Sequence, residues 1–199
     1  MLTANKIIKE IEAGRIFISD FNLDQLNPNS YNVRLRNCFR ICRKLNKTND
    51  EDSLKAIDSK NPDSSVFEVC NTNYGDSIIL MPGDFVLGAT QEVIASDHYI
   101  SAIDGRSSIG RLGIQIHATA GFGDIGFKGT YTLEISNLNP NPVILYSGME
   151  IAQVYFEKPD GIVDFLYNGR YNHQVYPTES KLNLDSKTIK GYHYNDKLS

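Results

Sequence analysis

Apolar residues recur along this chain at two spacings, and the shorter one dominates. Near the start, Ile7, Ile8 and Ile11 fall on one face of a helical wheel, which predicts a short amphipathic helix over residues 4 to 13. Thr3 stands where a capping hydroxyl would sit, and Gly14 stands where the helix would stop. From there the period is two. Residues 16 to 18 read as a short strand, and residues 19 to 30, rich in Asp, Asn, Pro and Ser, read as loop. Over residues 31 to 42, Tyr31, Val33, Leu35, Phe39 and Ile41 point one way while Asn32, Arg34, Arg36 and Arg40 point the other. That pattern predicts one long strand with a single buried face. Residues 77 to 80 and 84 to 95 read as strands parted by the turn signal Met81-Pro-Gly. Further strands are expected near 99–103, 114–118, 130–136, 142–146 and 150–157. Residues 43 to 65 are polar and read as a surface excursion with no assigned function. After Pro159 the alternation fades, which predicts an arm over about 160–199 that is mobile or orders over a ligand or a neighbouring subunit.

Short strands with frequent Gly, Pro and Asn turns predict a mainly β fold, a sandwich or distorted barrel with one short N-terminal helix. With 199 residues and 41% hydrophobic content, a single domain over 1–199 with a sizeable core is expected. No apolar run approaches the roughly 20 residues of a membrane span. Lys6, Lys9 and Glu10 interrupt what would be the apolar part of an export signal, so a cytoplasmic chain is expected. A net charge of −4 gives no general attraction to nucleic acid, so an anionic ligand needs a local cluster of donors. The cysteines Cys38, Cys42 and Cys70 argue against a disulfide framework and for a reducing compartment. Cys38 and Cys42 lie on a strand, about 13 Å apart, too far to share one metal ion. The His-x-Glu and Pro-Cys-x-x-Cys signature of zinc nucleoside deaminases is absent.

Three segments carry candidate chemistry. In Arg106-Ser-Ser-Ile-Gly-Arg-Leu-Gly113, Ser107 and Ser108 can open a short helix whose free N–H groups suit an anion. Arg106 adds a bidentate cation, and Arg111 shares a helical face with Ser107. A capped turn with two surface arginines is the competing reading. Thr119-Ala-Gly-Phe-Gly-Asp-Ile-Gly-Phe-Lys-Gly129 holds four glycines in eleven residues, a density that permits positive φ and close approach to a ligand. Asp124 within it is a turn former or a functional carboxylate, and Phe122 and Phe127 are packing rings or ligand platforms. In residues 130 to 136, Tyr131, Leu133 and Ile135 form the apolar face, opposite Thr130, Thr132, Glu134 and Ser136. Glu134 is a solvated strand residue unless its face lines a pocket, where a partly desolvated Glu suits general acid–base work.

Together with Asn29-Ser-Tyr-Asn-Val-Arg-Leu35, Met81-Pro-Gly-Asp-Phe-Val-Leu-Gly-Ala-Thr-Gln-Glu92 and Gly148-Met-Glu-Ile-Ala-Gln-Val154, these segments make the chain resemble the dCTP deaminase branch of the trimeric dUTPase superfamily. The resemblance covers most of the chain. It implies a distorted β-barrel or jelly roll of the dUTPase-like type, forming homotrimers with active sites between subunits. It implies Glu134 as the catalytic acid–base, with Ser107 and Arg111 positioning the water and the base. Arg106, Ser107 and Ser108 match the triphosphate cradle, with Ile109, Gly110, Thr132 and Leu133 completing the substrate-binding stretches. Asp124 matches the aspartate at the deoxyribose 3′-hydroxyl, and Gln153 a further nucleotide contact. Tyr167, Arg170 and Gln174 match the closing segment, with Arg170 where Lys is usual, and Val175-Tyr-Pro177 departs from the usual small residues. Mg²⁺ would accompany the triphosphate, with no zinc, and dTTP would be a feedback inhibitor. The leading expectation is dCTP deamination to dUTP and ammonia. The alternative is a bifunctional enzyme that continues to dUMP and diphosphate, a group that Gly121 and Phe122 resemble, although Gly123 replaces the usual Ile. A plain dUTPase is disfavoured by Glu134, where dUTPases carry an apolar residue. A non-catalytic nucleotide-binding relative is disfavoured by Ser107, Arg111 and Glu134 standing together.

Overall fold

The period-two segments pair as antiparallel strands in a computed structural model that describes residues 1–43, 46–47, 50–54 and 56–182. Five strands form one sheet in the order Ile114–Gln115, Thr132–Asn137, Phe85–Ala89, Cys38–Cys42 and Phe67–Asn71. Four form a second: Phe122–Gly123, Ile100–Gly105, Glu150–Glu157 and Tyr31–Arg34. A three-stranded sheet joins Phe17–Ile18, Ile94–Ala95 and Lys128–Gly129, and Ser77–Leu80 pairs with Val143–Tyr146. Their inward side chains meet in one core, where Tyr31, Val33, Leu35, Leu133, Ile135, Ile151 and Val154 are fully buried. Each such aliphatic side chain contributes about 1.5–3 kcal/mol through removal from water.

The helix spans Ala4–Glu12, with Ile7 buried and Ile8 and Ile11 partly so. Thr3 occupies the capping position through its carbonyl, which accepts from the Lys6 and Ile7 N–H groups, while its side chain makes no cap bond. Gly14 ends the helix at φ 71°. Glu10 is fully buried on this helix. Hydrogen bonds from Arg15, then from Lys6, hold its carboxyl far below the usual carboxylate range.

The long strand expected over residues 31 to 42 is two strands in two different sheets. Tyr31–Arg34 pairs with Glu150–Glu157, whereas Cys38–Cys42 pairs with Phe85–Ala89 and Phe67–Asn71. The chain crosses between them at Leu35 and Arg36, whose N–H groups donate to Met149 O (2.8 Å) and Ala89 O (2.9 Å). Residue parity survives the crossing, so the buried face continues and the break leaves no mark in the pattern. Residues 84 to 95 divide likewise, into Phe85–Ala89 and Ile94–Ala95. The strand Phe67–Asn71 was not expected. Its burial does not alternate, and Val69 is half exposed. Within the polar excursion, Asn46–Lys47 and Asp50–Leu54 form a small hairpin. Of the expected C-terminal arm, residues 183–199 lie outside the described residues.

Candidate functional site

Thr132–Asn137 lies between Ile114–Gln115 and Phe85–Ala89, with Leu133 and Ile135 buried on one side and Thr132, Glu134 and Ser136 partly exposed on the other. That second side faces a cavity of about 440 Å³. Leu87, Phe122, Gly123, Asp124, Thr132, Glu134, Tyr167, Tyr171 and Gln174 are among the residues that line it. Glu134 Oε2 accepts a hydrogen bond of 2.8 Å from the Ala118 N–H, which anchors one oxygen and orients the other. Three carboxylates, Glu134, Asp124 and Glu179, therefore line one cavity that also has apolar sides, and Glu179 is paired with Arg40.

The glycines of 119–129 lie close to other segments of the chain. Only Gly126 has positive φ (93°). A side chain at Gly121 would meet Ile103 O at 3.0 Å and the His117 ring at 3.2 Å, and one at Gly126 or Gly129 would strike the main chain at Tyr167 or Gln174. These positions let protein segments approach each other, and Phe122 between them is left 65% exposed at the cavity rim.

The segment after Pro159 runs against this stretch. Tyr167 N donates to Ile125 O (2.7 Å), His173 N to Lys128 O (2.6 Å) and Gln174 Nε2 to Thr130 O (2.8 Å). Further on, Thr178 N donates to Thr132 Oγ1 (3.1 Å). Arg40 donates to Pro177 O (2.7 Å) and pairs with Glu179 Oε1 (2.7 Å), and the Arg36 guanidinium lies 5.3 Å from the centre of the Tyr176 ring. Arg170 does not line the cavity; it donates to Lys181 O (2.6 Å) and closes the segment on itself. Arg36, Arg40, Tyr171, Thr178 and Glu179 were not anticipated. The alternation placed both arginines on a polar strand face, but nothing local ties them to residues so far along the chain.

The other expected residues gather elsewhere. Arg106 caps a one-turn helix, Ser107–Gly110, at the end of Ile100–Gly105, and Gly113 at φ 76° ends the turn with its carbonyl accepting from Leu138 N. Ser107, Ser108, Gly110 and Arg111 are exposed. Arg106 Nη1 reaches Glu150 Oε2 (2.9 Å) and Glu150 O (3.1 Å). Gln153 accepts from Ser30 Oγ (2.9 Å) and lies opposite Asp104 in the sheet. None of these residues lines the Glu134 cavity. Ile109 and Leu133 are core side chains, 5% and 0% exposed, and have only main chain to offer a ligand. All three cysteines are free thiols, and burial pushes Cys38 and Cys42 up. Among the described residues there is no cluster of three His, Cys, Asp or Glu side chains suited to a metal ion.

Antiparallel sheets around one core, with a Gly-rich segment and a C-terminal strap bordering an acidic cavity, define a mainly β protein. A solved 2′-deoxycytidine 5′-triphosphate deaminase from Agrobacterium tumefaciens shares this fold, with a TM-score of 0.59 at 19% identity over 81% of this chain. The chain spans about half of that structure, 49% of its length. The protein belongs to the dCTP deaminase-like family, which residues 1–159 match. A relative from Clostridium acetobutylicum named "dCTP deaminase, dUMP-forming" is 40% identical over 171 residues, covering 86% of this chain and 90% of that one. Another of the same name from Dictyoglomus thermophilum is 37% identical over 193 residues, covering 93% and 96%.

Proposed function

We propose that this chain converts dCTP to dUMP, diphosphate and ammonia by two hydrolyses, so that the alternative expectation replaces the leading one. The observation that carries this reading is the pairing of Glu134 and Asp124 on one cavity, in a chain similar along most of its length to dUMP-forming enzymes. In the first step Glu134 takes a proton from water, the hydroxide adds to cytosine C4, and Glu134 returns a proton to the amino group. The C4–N bond breaks and ammonia leaves, giving dUTP. In the second step Asp124, which also meets the deoxyribose 3′-hydroxyl, takes a proton from a second water, which attacks the α-phosphorus, and diphosphate departs to leave dUMP.

The hydrogen-bond donors for this chemistry are Ser107, Ser108 and Arg111, which are exposed, and Arg106, half-buried against Glu150; none of them lines the cavity. A homotrimer in which one subunit lends this turn to another's cavity joins the two halves. Arg106, Ser107 and Ser108 suit phosphate oxygens, while Ser107 and Arg111 position the water and the base; Mg²⁺ would be held by the triphosphate and would neutralise its charge there. Tyr167 and Gln174 close over the nucleotide, Gln153 and the main chain of Leu133 and Ile109 support it, and dTTP competes at the same site. The test is incubation with dCTP and Mg²⁺ followed by nucleotide separation. Ammonia and dUMP in equal amounts are expected; dUTP as the end product, or no ammonia, would contradict the reading.

A further inference from the structure

Gly123 stands where the family resemblance leads one to expect Ile, and the structure supplies a physical reason. It pairs with Ser101 across the sheet, and a side chain there would run into the Tyr131 hydroxyl and come within 3.1 Å of Ser101 Oγ and 3.2 Å of the Phe127 ring. The space Gly123 gives up is occupied by the Tyr131 hydroxyl, which lies 2.6 Å from Ser101 Oγ and donates to Ser101 O at 3.1 Å. The Gly123 main chain contacts the same hydroxyl. Ser101 and Tyr131 are 2% and 6% exposed, so these are buried bonds whose loss is felt in full. Burial also pushes the Tyr131 hydroxyl well above its ordinary value, which keeps it a neutral donor.

Asp124 follows directly. Its main chain is held at one end by Gly123 and at the other by its own carbonyl, which accepts from Phe127 N (2.9 Å). The Phe127 ring packs on the Tyr131 ring at 5.1 Å. Both ends of the Asp124 turn thus rest on Tyr131. Glu134 rests on a separate bond, from Ala118 N. The main chain of Tyr131 is also held independently of its hydroxyl, by bonds of 3.0 Å and 2.9 Å with Thr90.

We propose that the Tyr131–Ser101 hydroxyl pair, seated on Gly123, is a positioning device for Asp124 and so governs the second hydrolysis more than the first. The inference rests on the two-step reading above and assigns residues that reading does not use. It is tested by measuring ammonia, dUTP and dUMP from dCTP with wild type, Ser101→Ala, Tyr131→Phe and Gly123→Ala. In each variant dUTP accumulates, because dUMP formation slows about tenfold, the scale of one buried hydrogen bond, while ammonia release slows less. The double variant Gly123→Ala with Tyr131→Phe melts above Gly123→Ala alone, since removing the hydroxyl relieves the clash. Should Tyr131→Phe fail to fold, Ser101→Ala, which removes a single oxygen, gives the same readout. A dUTP-to-dUMP ratio equal to wild type in folded variants, or equal losses of ammonia and dUMP, overturns the proposal. A wild type that releases no ammonia, or that stops at dUTP, overturns the functional reading itself, and that result is visible before any variant is compared.

Discussion

The strand that carries Glu134 and the turn that carries Ser107 and Arg111 are built by opposite means. Glu134 sits mid-strand between two paired neighbours, with Leu133 and Ile135 fully buried beneath it and a main-chain donor on its carboxylate. Ser107, Ser108 and Arg111 project from a single helical turn whose anchor in the core is Ile109. The first region is a finished cavity, already bordered by the strap through Gln174 and Thr178. The second is a set of donors facing outward. A general acid–base must be aimed to within a fraction of an ångström, and a strand core does that. On the proposed reading the turn's donors reach a neighbouring subunit's nucleotide, the serines at phosphate and Arg111 at the base, and an exposed turn allows that.

The comparison is broken most directly at Glu134. Glu134→Gln keeps the shape and removes the proton carrier, so ammonia release should fall by about a thousandfold or more while nucleotide binding persists. Assaying ammonia beside a binding titration checks both. Asp124→Asn sharpens the division of labour inside the cavity. Its ammonia release continues while dUMP formation drops about a hundredfold, seen as dUTP accumulating in the nucleotide separation. The smallest effect is expected at the strap. Arg40→Ala removes the bond to Pro177 O and the pair with Glu179, raising KM by about threefold with kcat little changed. Added salt should raise the wild-type KM in the same direction, because the pair is partly exposed.

The strand around Glu134 was legible because alternation reports a buried face directly. The split at Leu35 was not, because a chain that changes sheets without changing parity keeps the same pattern. Phe67–Asn71 was invisible for the converse reason, a strand with no clean alternation. Glycine density in 119–129 signalled tight geometry without saying what comes close, and the close neighbours are mostly other parts of the chain. Local sequence left Glu134 and Asp124 open as strand and turn residues, and the family resemblance marked them as functional candidates. Arg40 could not be singled out, since its partner Glu179 is 139 positions away. Spacing along the chain did not show that the Arg106–Arg111 turn stays out of the Glu134 cavity; the family resemblance, with its sites between subunits, left room for that separation.

The most direct test of the central claim mixes two inactive proteins. Glu134→Gln and Arg111→Ala are each purified, combined in equal amounts, dissociated and reassociated, and assayed for ammonia from dCTP. If each site takes Glu134 from one subunit and Arg111 from another, random homotrimers restore roughly a quarter of wild-type activity. A mixture as inactive as its components, after exchange of subunits has been verified, would contradict the account.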